Sequence, residues 1–188
     1  MSVTKLLVPT YTQMLGSLSS WLKKAETTLP ATEAEALLSA RLAPDMFPLA
    51  TQIRFACLQV LESVYRLQGK AFSSVHAELL QEARNAGEQP GTLADAQARI
   101  AEALAVLEAL APDALDMAPA AAIVHDLPMG MIFDFNAEQY ARDWALSQFY
   151  FHLMAAYLIL RNQKVALGKG DYVAHMLPFL RPGTMPKA

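Results

Sequence analysis

Residues 144–160 read WALSQFYFHLMAAYLIL, an apolar run of 17 residues without Asp, Glu, Lys or Arg. The run is shorter than the roughly 20 apolar residues that a membrane-spanning helix needs. It also contains the polar residues Ser147, Gln148, His152 and Tyr157. These features predict a helix that is buried inside a helical bundle, and they predict no membrane association.

Three other stretches place apolar residues at alternating spacings of three and four. They span 11–29, 46–67 and 92–110, and the apolar run belongs to a fourth stretch at 136–162. A period near 3.5 residues gives each helix a continuous apolar seam. Asn136 with Gln139, and Thr92 with Asp95, have the spacing of capping boxes at helix starts. The sequence therefore predicts an all-α fold, a four-helix bundle.

The connections between these helices differ in length and character. Residues 69–91 are polar and are predicted to form a long crossover, with a partial helix at 74–85. In 121–135 apolar and polar residues alternate around a turn at Gly130, which predicts a small β-hairpin before the last helix. The proline-rich segment 175–188 is predicted to run as an extended tail.

Composition excludes several classes of protein. The chain is 54% apolar and 18% charged with a net charge of −3, so it lacks the basic patch that nucleic-acid binding requires. The single Cys57 excludes an internal disulfide and a cysteine-based zinc cluster. After Lys5 the sequence LLVPTYTQ is too polar for the core of a signal peptide. We expect one cytoplasmic domain over 1–188.

His152 has three interpretations: a hydrogen-bonded core residue, a residue that contacts a ligand, or a metal ligand. Its neighbours on the helix face are Gln148, Ala155 and Ala156. The two alanines leave room either for a ligand or for the close approach of another helix. A metal site needs three or more protein ligands, and no spacing in the sequence requires them to converge on His152.

Asp45 is the expected hydrogen-bond partner of His152. It also precedes Met46, where it could cap the second helix, and it lies four residues after Arg41, a spacing that suits an ion pair on a helix. The alternative is that its carboxylate faces a pocket. The candidate ligand-binding residues are His152, Asp45, Arg41, Gln52, Gln148 and Tyr157.

Other features have simpler structural interpretations. The segment LGKGDYV at 167–173 lacks the spacing of a phosphate-binding loop and is predicted to be a helix stop followed by a turn. His76, His125 and His175 lie in polar or loop contexts and are predicted to be surface residues.

The last helix carries aromatic residues on more than one face. A helix that is apolar all round needs neighbours all round, and a four-helix monomer leaves one sector facing water. This predicts a homodimer. The aromatic residues are Tyr140, Trp144, Phe149, Tyr150, Phe151 and Tyr157.

Three segments carry a resemblance to a known bacterial family: RLAPDMFPL at 41–49, FYFH followed by AYLILR at 149–161, and LGKGDYV at 167–173. The chain resembles a family catalogued as a domain of unknown function within the DinB-like (YfiT-like) superfamily of metal-dependent enzymes. The resemblance implies a DinB-like four-helix bundle that is frequently a homodimer. It also implies a divalent metal held by three histidines, one at the start of the second helix and two spaced H-x-x-x-H on the fourth.

The chain departs from that histidine pattern. There is no histidine in 45–52, and Ala156 stands four residues after His152. We therefore expect a protein without a cofactor that binds a small apolar ligand in a bundle pocket near His152. One alternative is a metal-dependent transferase or hydrolase that uses His152 with non-histidine ligands such as Asp45. Another is a structural or regulatory homodimer without a small ligand.

Overall fold

The structure, a computed structural model, describes residues 2–117 and 121–184. In these ranges the longer helices are α1 (Val3–Thr28), α3 (Leu49–Leu67), α4 (Ser74–Asn85), α5 (Leu93–Glu108) and α7 (Leu146–Asn162). Shorter helices are α2 (Ala31–Ala36), α6 (Ala137–Gln139) and α8 (Lys169–Tyr172). The strands are β1 (Ala122–Asp126) and β2 (Ile132–Asn136). Two 3-10 helices span Leu37–Ser39 and Ala174–Phe179, and a π-helical turn spans Tyr140–Ala145.

Helices α1, α3, α5 and α7 form the predicted four-helix bundle. α3 packs against α5 and α7, and α1 packs against the same two helices, so the order around the bundle is α1–α5–α3–α7. α4 lies against the outside of α3. The core contains Tyr11, Trp21, Ile53 and Phe149, which are all buried. The all-α fold with a hairpin before the last helix is confirmed.

The helix-start patterns in the sequence are also confirmed. Thr92 and Asp95 form a capping box at the start of α5, and Asn136 and Gln139 form one at the start of α6. In each box the side chains satisfy backbone N–H groups that have no partner inside the helix. At the end of α3, Gly69 adopts a φ of +62°, which favours glycine.

The hairpin pairs β1 with β2 as antiparallel strands, with His125 opposite Phe133. Ile123 and His125 are the two buried residues of β1, because side chains of a strand alternate between its faces. The π-helical turn Tyr140–Ala145 joins α6 to α7 directly after the hairpin. This turn positions Tyr140 and Trp144 beside His125.

An ion network joins α3, α4 and α5. The Nε of Arg54 lies 3.5 Å from Glu82 Oε2, and the same carboxylate accepts hydrogen bonds from two nitrogens of Arg99. The guanidinium of Arg54 is buried and lies against Gly91, whose φ is +71°. A Cβ at position 91 would stand 2.8 Å from Nη2 of Arg54. A side chain at position 91 would therefore require the Arg54 guanidinium to shift.

Two expectations about element boundaries are wrong. α3 begins at Leu49, directly after Pro48, so Asp45 does not cap it. Residues 174–179 form a 3-10 helix rather than the start of an extended tail, and the end of that tail at 185–188 lies outside the described residues. In the described part of the chain, no helix combines the length and the hydropathy that crossing a membrane requires.

Candidate functional site

His152 and Gln52 form a buried hydrogen bond between α7 and α3. The Nδ1 atom of His152 lies 2.8 Å from Oε1 of Gln52. The amide nitrogen of Gln52 donates to the carbonyl oxygen of Phe47 at 3.3 Å, which assigns the amide oxygen to the histidine. Since that oxygen can only accept, Nδ1 of His152 carries the proton. The unprotonated nitrogen of the neutral ring is therefore Nε2.

The charge state of His152 follows from its burial. Its side chain is 8% exposed, and desolvation lowers its pKa to about 4. The imidazole is therefore neutral at neutral pH, because an apolar environment disfavours the charged form. In this state the ring can accept one hydrogen bond at Nε2 and has no charge with which to attract an anion.

Phenylalanine side chains surround the imidazole. Phe55 stacks on the His152 ring at a centroid distance of 5.0 Å, and Phe151 meets it edge-on at 5.3 Å. Phe47 extends this aromatic row, 5.8 Å from Phe55. Phe47 and Phe151 are 54% and 61% exposed. The row therefore runs from the buried histidine to the protein surface.

The expectation that Asp45 is the hydrogen-bond partner of His152 is wrong. Nδ1 of His152 donates to Oε1 of Gln52, whereas Asp45 is exposed and lies in the loop before α3. Arg41 is exposed as well, and it donates to the carbonyl oxygen of Pro44 at 3.5 Å. These two candidates belong to the surface loop that leads into α3.

The other candidate residues on α7 divide between two places. Gln148 is half-buried and lies one turn before His152. Tyr157 packs edge-on against Trp21 at 5.1 Å and against Tyr172 at 6.1 Å. The ring contacts of Tyr157 thus join α7 to α1 and α8.

Two clefts among the described residues lie away from His152. One of about 490 Å³ runs along α4 and includes Glu78 and Gln81. Another of about 430 Å³ lies at the C-terminal end of α3, beside Lys70 and Met117. Neither of these two clefts includes His152, whose ring contacts Gln52, Phe55 and Phe151.

The described residues do not fit the three-histidine metal site that the resemblance implies. Within 2–117 and 121–184 no three His, Cys, Asp or Glu side chains converge on a common point. Gln52 is engaged by Nδ1 of His152, and Ala156 occupies the position one turn further along α7. A divalent metal needs more donors than one imidazole.

Comparison with known proteins identifies the family. The family described as Domain of unknown function (DUF1993) matches residues 3–173. This chain belongs to that family.

The DUF1993 chain is also similar to a DinB family member protein from Shewanella denitrificans whose crystal structure is known. The two share 30% sequence identity with a TM-score of 0.73, and the alignment covers 97% of this chain and 95% of the other. No curated protein sequence matches this chain. The comparisons agree with the helical bundle described above.

Two other histidines of this DUF1993 chain are buried, contrary to the expectation that they are surface residues. His76 stacks on Phe72 at 4.0 Å, and His125 lies 4.1 Å from the Trp144 ring. Desolvation is the largest cause that lowers the pKa of both. His175 is half-buried. The sequence offered one indication, since His125 alternates with Ile123 as an inward residue of the predicted strand.

Proposed function

We propose that this DUF1993 protein binds a small, mostly apolar ligand at the His152–Gln52 centre. In this proposal the ligand donates one hydrogen bond to Nε2 of His152. The observation that carries it is the 2.8 Å contact between Nδ1 of His152 and Oε1 of Gln52. That contact fixes the tautomer and leaves Nε2 as an acceptor.

The surroundings of the ring support this class of ligand. Burial keeps His152 neutral, which favours a neutral ligand over an anion. Phe47 and Phe151 supply apolar contact area, and exposed side chains change rotamer within nanoseconds. Movement of either ring would open a path to the imidazole. A planar molecule with one O–H or N–H donor matches these features.

Phenol and anisole form a matched pair of probes, because methylation removes the donor and keeps the ring. We expect phenol to raise the Tm of the protein more than anisole does. A concentration tenfold above Kd stabilises a protein by about 1.4 kcal/mol. His152→Asn should abolish the difference between the probes, whereas Tyr157→Phe, in a separate aromatic cluster, should keep it. Equal stabilisation by both probes would contradict the proposal.

A metal-dependent transferase or hydrolase is the competing activity, and elemental analysis tests it. Protein purified without chelators should contain no stoichiometric zinc, nickel or manganese if the ligand-binding proposal is correct. A metal that is present at one per chain and lost in His152→Ala would support the enzyme instead.

A homodimer is the second proposal, and an exposed apolar stripe on α7 favours it. Phe151 is 61% exposed and Leu158 is 46% exposed. They are seven positions apart, so they lie on the same face of the helix. Such a stripe can pair with its own copy across a two-fold axis, where each subunit contributes the same surface. Light scattering should give a dimer mass for the protein and a monomer mass for Leu158→Glu. A monomeric wild-type protein at micromolar concentration would overturn this proposal.

A further inference from the structure

The His125 side chain is enclosed between the hairpin and the bundle. It is 2% exposed, and its ring lies 4.1 Å from Trp144 and 5.9 Å from Tyr140. Neither ring nitrogen has a hydrogen-bond partner among the described residues. Since nearly all buried polar atoms in proteins are paired, this arrangement calls for a physical explanation.

The charged groups nearest to His125 are already engaged with each other. Oε1 of Glu62 lies 3.6 Å from Nδ1 of His125, which is too long for a hydrogen bond. The same oxygen accepts a hydrogen bond of 2.8 Å from Nε of Arg66. Arg66 also donates to the carbonyl oxygen of Val124 at 3.0 Å and lies 3.8 Å from the carboxylate of Asp126. The carboxylate nearest to His125 is thus neutralised by an arginine.

Two further polar groups lie beside His125. Nε1 of Trp144 is buried without a hydrogen bond among the described residues, and the hydroxyl of Tyr140 is buried with Ser63 as its polar neighbour. A buried polar group left unsatisfied costs about 1–3 kcal/mol, and water would satisfy each of these groups if the hairpin lifted. The closed hairpin is therefore held by apolar packing and by the Arg66 bond, against a cluster of polar groups that hydration would favour.

We propose that the β1–β2 hairpin is a pH-sensitive latch on α3, closed by neutral His125 and released when His125 is protonated. An imidazolium at this position would place a second cation beside Glu62, which Arg66 already neutralises, in a site where His125 is only 2% exposed. Opening would hydrate that charge together with Tyr140 and Trp144. The pKa of His125 is lowered, first by desolvation and then by Arg66, which agrees with a closed state that disfavours the imidazolium.

His76 on α4 is the other group that titrates near this cluster. Desolvation by burial is the largest cause of its lowered pKa, and, as for His125, Glu62 raises this pKa and Arg66 lowers it. Its ring stacks on Phe72, and the Arg66 guanidinium lies 5.1 Å from the same phenylalanine ring. A test of the latch must therefore separate His76 from His125. Tyr140 does not compete in this range, because burial raises its pKa well above the ordinary value.

The fluorescence of Trp144 reports the latch directly. The chain has two tryptophans, so Trp21→Phe leaves Trp144 alone. In this background we expect a red shift and stronger acrylamide quenching as the pH falls from about 8 to about 5, the range in which histidine titrates. The helical circular dichroism should stay constant over the same range. His76→Gln should keep the transition, and His125→Gln should remove it.

Three results would overturn the latch: a transition that survives in His125→Gln, one that disappears in His76→Gln, or one that coincides with loss of helical signal. A second measurement covers the case in which His125→Gln already opens the hairpin at about pH 8. Hydrogen exchange on the unmodified chain compares residues 122–136 with α3, corrected for intrinsic rates. The hairpin should open about tenfold more at pH 5.5 than at pH 8, relative to α3. An unchanged ratio contradicts the proposal.

Discussion

Gln52, in the first turn of α3, fixes the tautomer of His152 across the bundle through a 2.8 Å contact between Oε1 and Nδ1. Both side chains are buried, so neither can exchange this bond for water without local opening. The pair couples the beginning of α3 to the middle of α7.

Replacing Gln52 with leucine should destabilise the protein by about 1–3 kcal/mol. The leucine removes the only acceptor seen at Nδ1 in the described residues and leaves a buried donor unsatisfied. Urea denaturation measures the change as a shift in the midpoint. Gln148→Leu is the matched control on α7, and we expect it to change stability by less than about 0.5 kcal/mol because Gln148 is only half-buried. Equal effects of the two variants would disprove a structural role for the Gln52 bond.

Stability should fall as the pH drops below about 6.5, the ordinary pKa of histidine. The folded state lowers the pKa of His152 to about 4, and it lowers those of His76 and His125. Between these values the unfolded chain binds more protons than the native protein, so acid favours unfolding. For His152 alone the loss approaches roughly 3 kcal/mol once the pH is below 4. Urea titrations at several pH values measure the free energy of unfolding, which should fall less steeply with decreasing pH in His152→Asn than in the wild type.

Gly91→Ala should cost at least about 1–2 kcal/mol. The new Cβ would meet Nη2 of Arg54 at 2.8 Å, and alanine disfavours the φ of +71° found there. Gly87→Ala is the control, because a Cβ at that position meets nothing within 4 Å and its φ is not in the left-handed region. Thermal unfolding of both variants distinguishes the steric effect from a general effect of alanine. A neutral Gly91→Ala would mean that Arg54 relaxes freely.

Glu82→Gln should destabilise the protein by about 1–2 kcal/mol. Arg54 is buried, and neutralising Glu82 removes the charge that compensates both Arg54 and Arg99. The carboxylate is 39% exposed, so water recovers part of the loss. Glu88→Gln, in an exposed position, should have little effect in the same urea experiment. The effect of Glu82→Gln should become smaller in Arg54→Met, because the buried charge is then absent.

The bundle could be predicted from the sequence because the patterns that indicate its helices involve residues close together along the chain. Apolar spacing and the Thr92 and Asn136 capping boxes fix where helices run, and both depend on residues only a few positions apart. The partner of His152 depends instead on where α3 begins. Pro48 sets that start at Leu49, which leaves Asp45 in the loop and brings Gln52 into the first turn.

Burial of His76 could not be inferred from its polar sequence context, and burial of His125 was indicated only by its alternation with Ile123 along the strand. His76 is covered by Phe72, and His125 is covered by Trp144 from a different part of the chain. The first contact joins residues four apart along the chain, whereas the second joins the hairpin to the π-helical turn. Local polarity describes the neighbours in sequence, whereas burial depends on neighbours in space.

The π-helical turn at Tyr140–Ala145 carries one residue more than an α-helical turn would. Each residue of an α-helix rotates the chain by about 100°, so this extra residue sets the angle about the helix axis between the hairpin before the turn and α7 after it. Deleting one residue here would shift the hairpin around the helix axis while leaving His152 facing α3. A change of one residue in the length of this turn would thus reposition the hairpin on an otherwise unchanged bundle.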